Sequence, residues 1–218
     1  MKRKTISLLF FCVLMTSFGF GRQARSSTTV VTVSPSISVG ARFSFYGPKL
    51  DNLNTAFGAL EDTIGLGRAP DFKVFSLGSA NIRYNFAASH SIGVEAGMSY
   101  WKSKLGSSES IERVYTIGAE YYYSFQNRRK DYFGLDAGAG GAFLVANFER
   151  NYDTQRISVL KKTFTANASL LGWVSPFDPL SIEVEARYMF VPSFTVNYPN
   201  ATVKMSSVVV GAGISILF

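Results

Sequence analysis

The 218-residue chain has few charges, one histidine and one cysteine. Only 17% of its residues are charged, against about a quarter in ordinary soluble domains. Because Cys12 lies in an apolar leader, the mature chain has no thiol for a disulfide framework or a cysteine metal site. Zinc-finger, helix-turn-helix and ribonucleoprotein patterns are also missing, which argues against nucleic acid as a partner.

The amino terminus predicts export. Three cations at positions 2–4 precede an apolar run at 5–20, as in the n-region and h-region of a secretory signal peptide. Gly19 and Gly21 supply the small residues that cleavage after residue 21 requires, and a short membrane anchor is the alternative interpretation. Without the three leader cations the net charge falls from +7 to +4, too small an excess to suggest an anionic polymer as partner.

We therefore expect a cleaved signal peptide at 1–21 and one domain at 22–218, in which no run approaches the roughly 18 apolar residues of a membrane helix. The domain has alternation instead, with apolar residues at every second position and small or polar residues between them. Eight segments show it: 29–46, 71–86, 91–103, 112–125, 132–149, 157–174, 180–191 and the stretch from Val203 to the end. A period of two is typical of strands with one apolar face, so the fold class is all-β.

The connections between these segments alternate in length. "AASH", "QNRRKD" and "SPFDPL" are short, whereas residues 47–70, "KLGSSESIE", "RNYDTQR" and "PSFTVNYPNATV" are longer or more polar. Short turns on one rim and longer loops on the other indicate an up-and-down antiparallel barrel with periplasmic turns and external loops. In the first long loop, the spacing of Leu53, Phe57, Leu60 and Ile64 predicts a short amphipathic helix at 51–64. Its place is left open: across the barrel mouth, on the membrane surface or against other loops.

The second face of the strands decides between a soluble and a membrane barrel. A lipocalin-like barrel points its apolar face inward, whereas a membrane barrel points it at lipid. The second face here is rich in small residues and has nearly balanced charges, which fits a narrow lumen better than a solvated surface. The predicted lumen charge network is Arg42, Arg83, Glu95, Glu120, Asp136, Lys161, Glu183, Glu185 and Arg187. Because unpaired burial is costly, we expect the three arginines to bond the carboxylates and close the lumen; a gated ion path is the alternative.

Aromatic residues predict two girdles at the membrane interfaces. One set lies near the short turns: Phe86, Tyr123, Phe125, Phe133, Trp173 and Phe177. The other lies toward the long loops: Phe45, Tyr46, Phe72, Tyr100, Tyr115, Tyr188 and Phe190.

The chain ends on "VVVGAGISILF", with Phe218, Ile216, Ile214 and Ala212 on one face. On this pattern the chain resembles the small, OmpA-like, eight-stranded outer-membrane β-barrel proteins. The resemblance implies a bacterial outer-membrane location among its lipids. It also implies that Phe218, Ile216 and Ile214 form the signal read by the barrel-assembly machinery, with periplasmic chaperones as further partners.

Catalytic patterns are weak. His90 lies in "SHS" between two serines, but the His-x-Ser spacing of membrane-barrel deacylases is not matched, and a second histidine for a protease is missing. We therefore expect no catalytic, cofactor or metal site. The predicted function is a non-enzymatic outer-membrane barrel with a structural or surface-interaction role through its loops, with no ligand indicated. The alternatives are a narrow pore for small solutes and a soluble, secreted, lipocalin-like ligand-binding barrel.

Overall fold

A computed structural model describes residues 35–73, 75–128, 130–197 and 200–218. The predicted signal peptide and the first part of the predicted first strand lie outside these residues. Within them, ten strands and one helix follow in the order β1 (Ser36–Tyr46), α1 (Asp51–Ile64), β2 (Phe75–Ala87), β3 (His90–Leu105), β4 (Ser108–Ser124), β5 (Phe133–Asn151), β6 (Arg156–Phe177), β7 (Leu180–Phe190), β8 (Phe194–Asn197), β9 (Asn200–Val203) and β10 (Ser207–Leu217).

Eight of the strands form a closed antiparallel barrel in the order β1-β10-β7-β6-β5-β4-β3-β2. The predicted eight-stranded up-and-down barrel is therefore confirmed. The last strand closes it by pairing with the first, and Phe218 and Ile37 exchange backbone hydrogen bonds of 2.8 and 3.2 Å. The final strand thus leaves no open edge at the seam.

Side chains alternate between the inside and the outside of the barrel, as the period of two requires. In β1 every second residue from Ser36 is buried, and those between, such as Phe43 and Phe45, are exposed. The outer face is apolar around the barrel. No helix among the described residues is long and apolar enough to cross a membrane.

Two connections predicted to be long are short. β3 and β4 extend through "KLGSSESIE" and meet at Gly106 and Ser107, where Gly106 adopts the positive φ of 60° that the tight turn needs. β5 and β6 likewise extend to Asn151 and Arg156. The outward faces of these segments carry Lys102, Lys104 and Arg113, as expected for strands that stand above the apolar band, whereas their inward faces are buried in the barrel mouth.

The last long connection contains a hairpin of its own, β8 and β9. The eighth barrel strand therefore begins at Ser207, and its predicted start near Val203 is wrong. The reason is packing: Val203 and Met205 are fully buried in the barrel mouth, so the chain crosses the opening before it joins the wall.

Three aromatic residues predicted for the girdles point inward. Tyr46 is buried and its hydroxyl donates to the Met205 carbonyl, while Phe72 lies between the rings of Phe57 and Phe148. Trp173 is buried as well, and a Cβ on Gly134 of the neighbouring strand would lie 2.5 Å from its ring. Tyr46 and Trp173 have the parity of the inward face, which the girdle prediction ignored. Phe72 was predicted to lie in the second strand, but that strand begins at Phe75.

Candidate functional site in the barrel interior

The interior near the short turns holds a network of buried ion pairs. Arg42 from β1 donates hydrogen bonds of 2.9 Å to Glu95, 2.8 Å to Glu185 and 3.1 Å to Glu183. These partners come from β3 and β7, so one guanidinium ties together three strands around the lumen. The inward position of Arg42 follows from its parity with the buried serines of β1.

Arg187 from β7 extends the network across the barrel. Its guanidinium lies 2.7 Å from Glu95, 3.0 Å from Glu185 and 3.2 Å from Glu120 of β4. Glu120 also accepts hydrogen bonds from Ser169 at 2.6 Å and Tyr122 at 2.9 Å. The carboxylate oxygens are therefore occupied by donors from several strands.

The part of the network next to the short turns is centred on Asp136. Arg83 donates to Asp136 at 2.8 Å and lies 3.9 Å above the ring of Tyr122. The indole nitrogen of Trp173 donates to the other oxygen of Asp136 at 3.0 Å.

Arg128 completes this part of the network from outside the strands. It belongs to the turn between β4 and β5, and it reaches into the lumen to contact Asp136 at 2.6 Å and Glu183 at 2.9 Å. Its side chain is only 8% exposed and lies 5.0 Å from the ring centre of Trp173. The sequence identifies "QNRRKD" only as a short turn, so sequence reasoning missed this residue.

Eight of the nine residues predicted for the lumen network thus lie in one connected set, in which Arg128 joins the Arg83–Asp136 pair to the other ion pairs. Lys161 does not take part. It pairs in register with Ala146 near the other end of the barrel, and its ammonium lies 5.0 Å from the ring of Phe194. Four arginines, counting Arg128, face five carboxylates. The strands alone supply only three of these arginines.

The interior toward the long loops is filled in a different way. Apolar residues from the strands meet residues of α1 and of the last long connection in one cluster, which we call the mouth core. Its members are Tyr46, Leu50, Leu53, Phe57, Phe72, Val114, Leu144, Ala146, Phe148, Val159, Met189, Val191, Phe194, Val203, Met205 and Val209. Leu53 and Phe57 of α1 are completely buried in it. Of the three places left open for the helix, it occupies the barrel mouth.

A buried ion pair fastens the helix to the wall. Glu61 of α1 is fully buried, and its Oε1 accepts hydrogen bonds from Arg150 of β5 at 2.7 Å and from the Tyr152 hydroxyl. The Arg150 guanidinium also lies 4.9 Å from the ring of Phe57 and 5.3 Å from that of Phe72. The helix is therefore held by charge and by packing at the same point.

Glu112 is the exception in the mouth. It is fully buried, and neither of its carboxylate oxygens has a hydrogen-bond partner in the part of the chain that the structure describes. It lies beyond Tyr115 on β4, next to the outward cation Arg113, and so above the apolar band. Burial raises the pKa of Glu112 to about 9, because the charged form is poorly solvated there.

Between the network and the mouth core lies a cavity of about 20 Å³. Thr116, Asn167, Arg187 and Met189 are among its lining residues. This is room for about one water molecule.

The catalytic candidates are not assembled. His90 is bonded to the Tyr121 hydroxyl and stacked on Phe86, whereas Glu95 points into the lumen toward Arg42 and Arg187. Within residues 35–73, 75–128, 130–197 and 200–218, no three or more histidine, cysteine, aspartate or glutamate residues are placed to hold a metal ion.

The three residues of the predicted assembly signal lie together on the outer face of the seam. Ile214, Ile216 and Phe218 are 54%, 40% and 71% exposed, and all three point away from the lumen. They form an apolar ridge that is accessible from outside the barrel.

No model of a protein family matches the sequence, and no curated protein matches it either. Among solved structures, the chain is similar to Neisserial surface protein A at a TM-score of 0.55 and 12% identity, over 84% of this chain and 97% of that one. It is also similar to Ail, the attachment invasion locus protein of Yersinia pestis, in complex with the heparin analogue sucrose octasulfate. The TM-score is 0.51 and the sequence identity 14%, over 84% of this chain and 97% of that one. The chain is similar to the outer membrane protein OprG from Pseudomonas aeruginosa at a TM-score of 0.53 and 14% identity, over 85% of this chain and 96% of that one. At these identities the similarity concerns the fold alone.

Proposed function

The chain has the fold of the small eight-stranded outer-membrane β-barrels, and from this premise we propose that it is an integral protein of the bacterial outer membrane. Its role is structural or in surface interaction, through the parts that stand above the apolar band, and it is not an enzyme. Charge pairs and the mouth core close its interior, and a cleaved leader at 1–21 directs its export.

The outer face of the barrel carries the proposal. Large apolar side chains are exposed on every part of the wall, including Phe43 at 53%, Ile82 at 58%, Ile117 at 57% and Val184 at 58%. In water such a continuous apolar surface would aggregate, whereas in a membrane it contacts lipid. The same apolar surface argues against the soluble, lipocalin-like alternative.

The filled interior supports a closed barrel. A ligand-binding barrel needs a cavity of about 300 Å³ or more, and the cavity described above has about 20 Å³. The ion pairs below it and the mouth core above it leave little space for a solute to pass. A narrow pore would require both layers to move.

The external part of the molecule supports a surface-interaction role. α1, the β8–β9 hairpin and the projecting ends of β3 to β6 form a fixed platform above the apolar band, because Arg150 and the mouth core hold them together. Ail, which shares the fold, is described as an attachment invasion locus protein. The nature of an external ligand stays open.

Fractionation and conductance test this proposal. We expect the full chain to sediment with outer membranes, to migrate faster in detergent gels before heating than after, and to give no channel events over many insertions in planar bilayers. Recovery in the soluble periplasm would contradict membrane insertion, and steady conductance would favour the narrow pore.

Recognition by the assembly machinery and by periplasmic chaperones is part of the proposal, and Phe218 tests it. Deletion of Phe218 is expected to lower the amount of folded protein in the membrane severalfold, because the end of the exposed seam ridge is lost. Val208→Ala, on the outer face of the same strand, is the matched control and should leave the yield near that of the parent. Equal yields for the two variants would contradict the assembly role.

A further inference from the structure

Two lysines face each other above the seam of the barrel. Lys49 follows β1 and Lys204 precedes β10, and an isolated antiparallel bridge pairs them directly. Both are exposed, while their chain neighbours Leu50, Val203 and Met205 are buried in the mouth core. Alternation therefore directs both ammonium groups to the outside of the barrel.

Neither lysine has a carboxylate partner among the described residues. Three other outward cations at this rim do have one: Lys102 lies 2.7 Å from Glu109, and Arg113 and Arg156 lie 2.5 and 2.6 Å from Glu149. Lys104 forms no ion pair among the described residues, but it stands directly opposite Glu109 in the strand pairing. Lys162 also lacks such a partner, but Val145, and no second cation, lies opposite it. The Lys49–Lys204 pair is thus distinguished by two like-charged residues that lie directly opposite each other and have no carboxylate partner among the described residues.

The backbone pairing holds the two lysines directly side by side. Residues directly opposite each other in an antiparallel pair have Cβ atoms about 5 Å apart, and like charges there are destabilising. The Ser207 hydroxyl donates to the Gly47 carbonyl at 2.8 Å, which fixes the chain just below the pair. A bound anion between the two ammonium groups would remove the repulsion.

The depth of the pair indicates the source of that anion. Lys49 lies four residues beyond Phe45, which corresponds to at most about 10 Å along the axis of a tilted barrel. Directly below are Phe43, Phe45, Val208 and Val210, all at least half exposed on the outer wall. Acyl chains that pack on this wall would bring their phosphorylated headgroup level with the lysines.

We propose that Lys49 and Lys204 together bind a phosphate group of a phosphorylated glycolipid in the external leaflet. The inference rests on the proposed membrane location. Lysine is a compact charge that suits phosphate, and the two ammonium groups match the charge of one phosphate dianion. The wall formed by Phe43, Phe45, Val208 and Val210 receives the acyl chains.

The test measures thermal unfolding of the full chain in a phosphate-free nonionic detergent, with and without a bisphosphorylated disaccharide lipid. The parent should gain stability with the lipid, because a ligand of the folded state raises the unfolding midpoint. The double variant Lys49→Gln/Lys204→Gln should bind the lipid about tenfold or more weakly. Without lipid it should unfold at the same temperature as the parent or a higher one, since the repulsion is gone.

Lys130→Gln is the matched control, because it removes one exposed lysine at the opposite rim; it should respond to the lipid as the parent does. An equal lipid response of the parent and the double variant would overturn the inference. So would a lower unfolding temperature of the double variant without lipid. Inorganic phosphate at the same phosphorus concentration should give no shift, and a full shift with it would overturn the assignment to a lipid.

Insertion is scored separately, by incorporation of each protein into phosphatidylcholine nanodiscs. A parent that stays outside the nanodiscs would contradict the proposed membrane location. A parent that inserts, but binds the glycolipid no better than the double variant, would contradict the lysine site alone.

Discussion

The two halves of the barrel interior are enclosed by the same closed sheet but have opposite chemistry. Toward the short turns, four arginines and five carboxylates fill the space, whereas toward the long loops an apolar core does. The connections account for the difference. A long loop delivers Leu53 and Phe57 into the mouth, but a short turn can deliver only one long side chain, Arg128. The inward strand residues are charged in the half where the turn supplies an arginine, and they are apolar in the half where the long loop supplies apolar side chains.

The largest effect is expected from Arg42→Met in the charged half. The change removes the cation shared by Glu95, Glu183 and Glu185. Arg187 and Arg128 still contact these carboxylates, but five carboxylates then face three arginines, and breaking a buried network in this way costs about 3–5 kcal/mol. Urea unfolding in lipid vesicles measures the loss. Lys130→Met, at an exposed position, serves as control, and equal stabilities of the two variants would show that the network contributes little.

Phe57→Ala should follow, and its effect should stay in the apolar half. Removing a fully buried ring costs about 3 kcal/mol or more and leaves a cavity among Phe72, Phe148 and Arg150. Hydrogen exchange should therefore accelerate in α1 and change little in β7. Thr55→Ala on the exposed side of the same helix is the control. Faster exchange throughout the barrel would mean that the two halves do not behave independently.

Arg128→Ala should have a smaller effect, about 2 kcal/mol, because it removes hydrogen bonds to charged groups but leaves Asp136 its bond from Arg83. In a Trp101→Phe background, the emission of Trp173 should shift to longer wavelength as water replaces the guanidinium above its ring. Lys130→Ala in the same turn should leave the emission unchanged. An unshifted spectrum in the Arg128 variant would contradict its place in the lumen.

The smallest effect concerns Glu112, the buried carboxyl of the mouth whose two oxygens both lack a hydrogen-bond partner among the described residues. Burial raises its pKa from 4.5 to about 9, so the contribution of neutral Glu112 to stability is complete below pH 4.5 and is lost as the pH rises toward 9. The protection factors of α1 should fall on the order of tenfold over this window and stay constant in Glu112→Gln. Glu109→Gln, at a partly exposed position of the same strand, should retain the dependence of the parent. A flat profile in the parent would contradict the uncompensated burial.

Much of the barrel could be predicted from the sequence because one physical rule governs it. Alternation with period two fixes both the strand and the face, so the inward positions of Arg42, Arg83 and Arg187 follow once lipid is placed outside. The same rule continues above the apolar band, where "SSESIE" reads as a loop by composition although it remains in the ladder. Composition is a weaker guide than period in such segments.

Other features depend on contacts between distant parts of the chain. The periodicity of α1 predicts a helix but not the surface it covers, since many apolar faces could accept Leu53 and Phe57. Arg128 has no periodic signal at all, because it lies in a turn. Its only trace in the sequence is an excess of lumen carboxylates over lumen arginines.

The seam between Ile37 and Phe218 also bears on the order in which the barrel strands pair during folding. Every other neighbouring pair in the barrel joins consecutive wall strands, but this one joins the two ends of the wall. The cost of closing a chain grows with its length, so contacts between distant segments form slowly. Until β10 pairs with β1, each of these two strands presents an unpaired edge that can capture other chains. The incomplete barrel is therefore exposed to aggregation for a time, and this period ends only when the last strand pairs with the first.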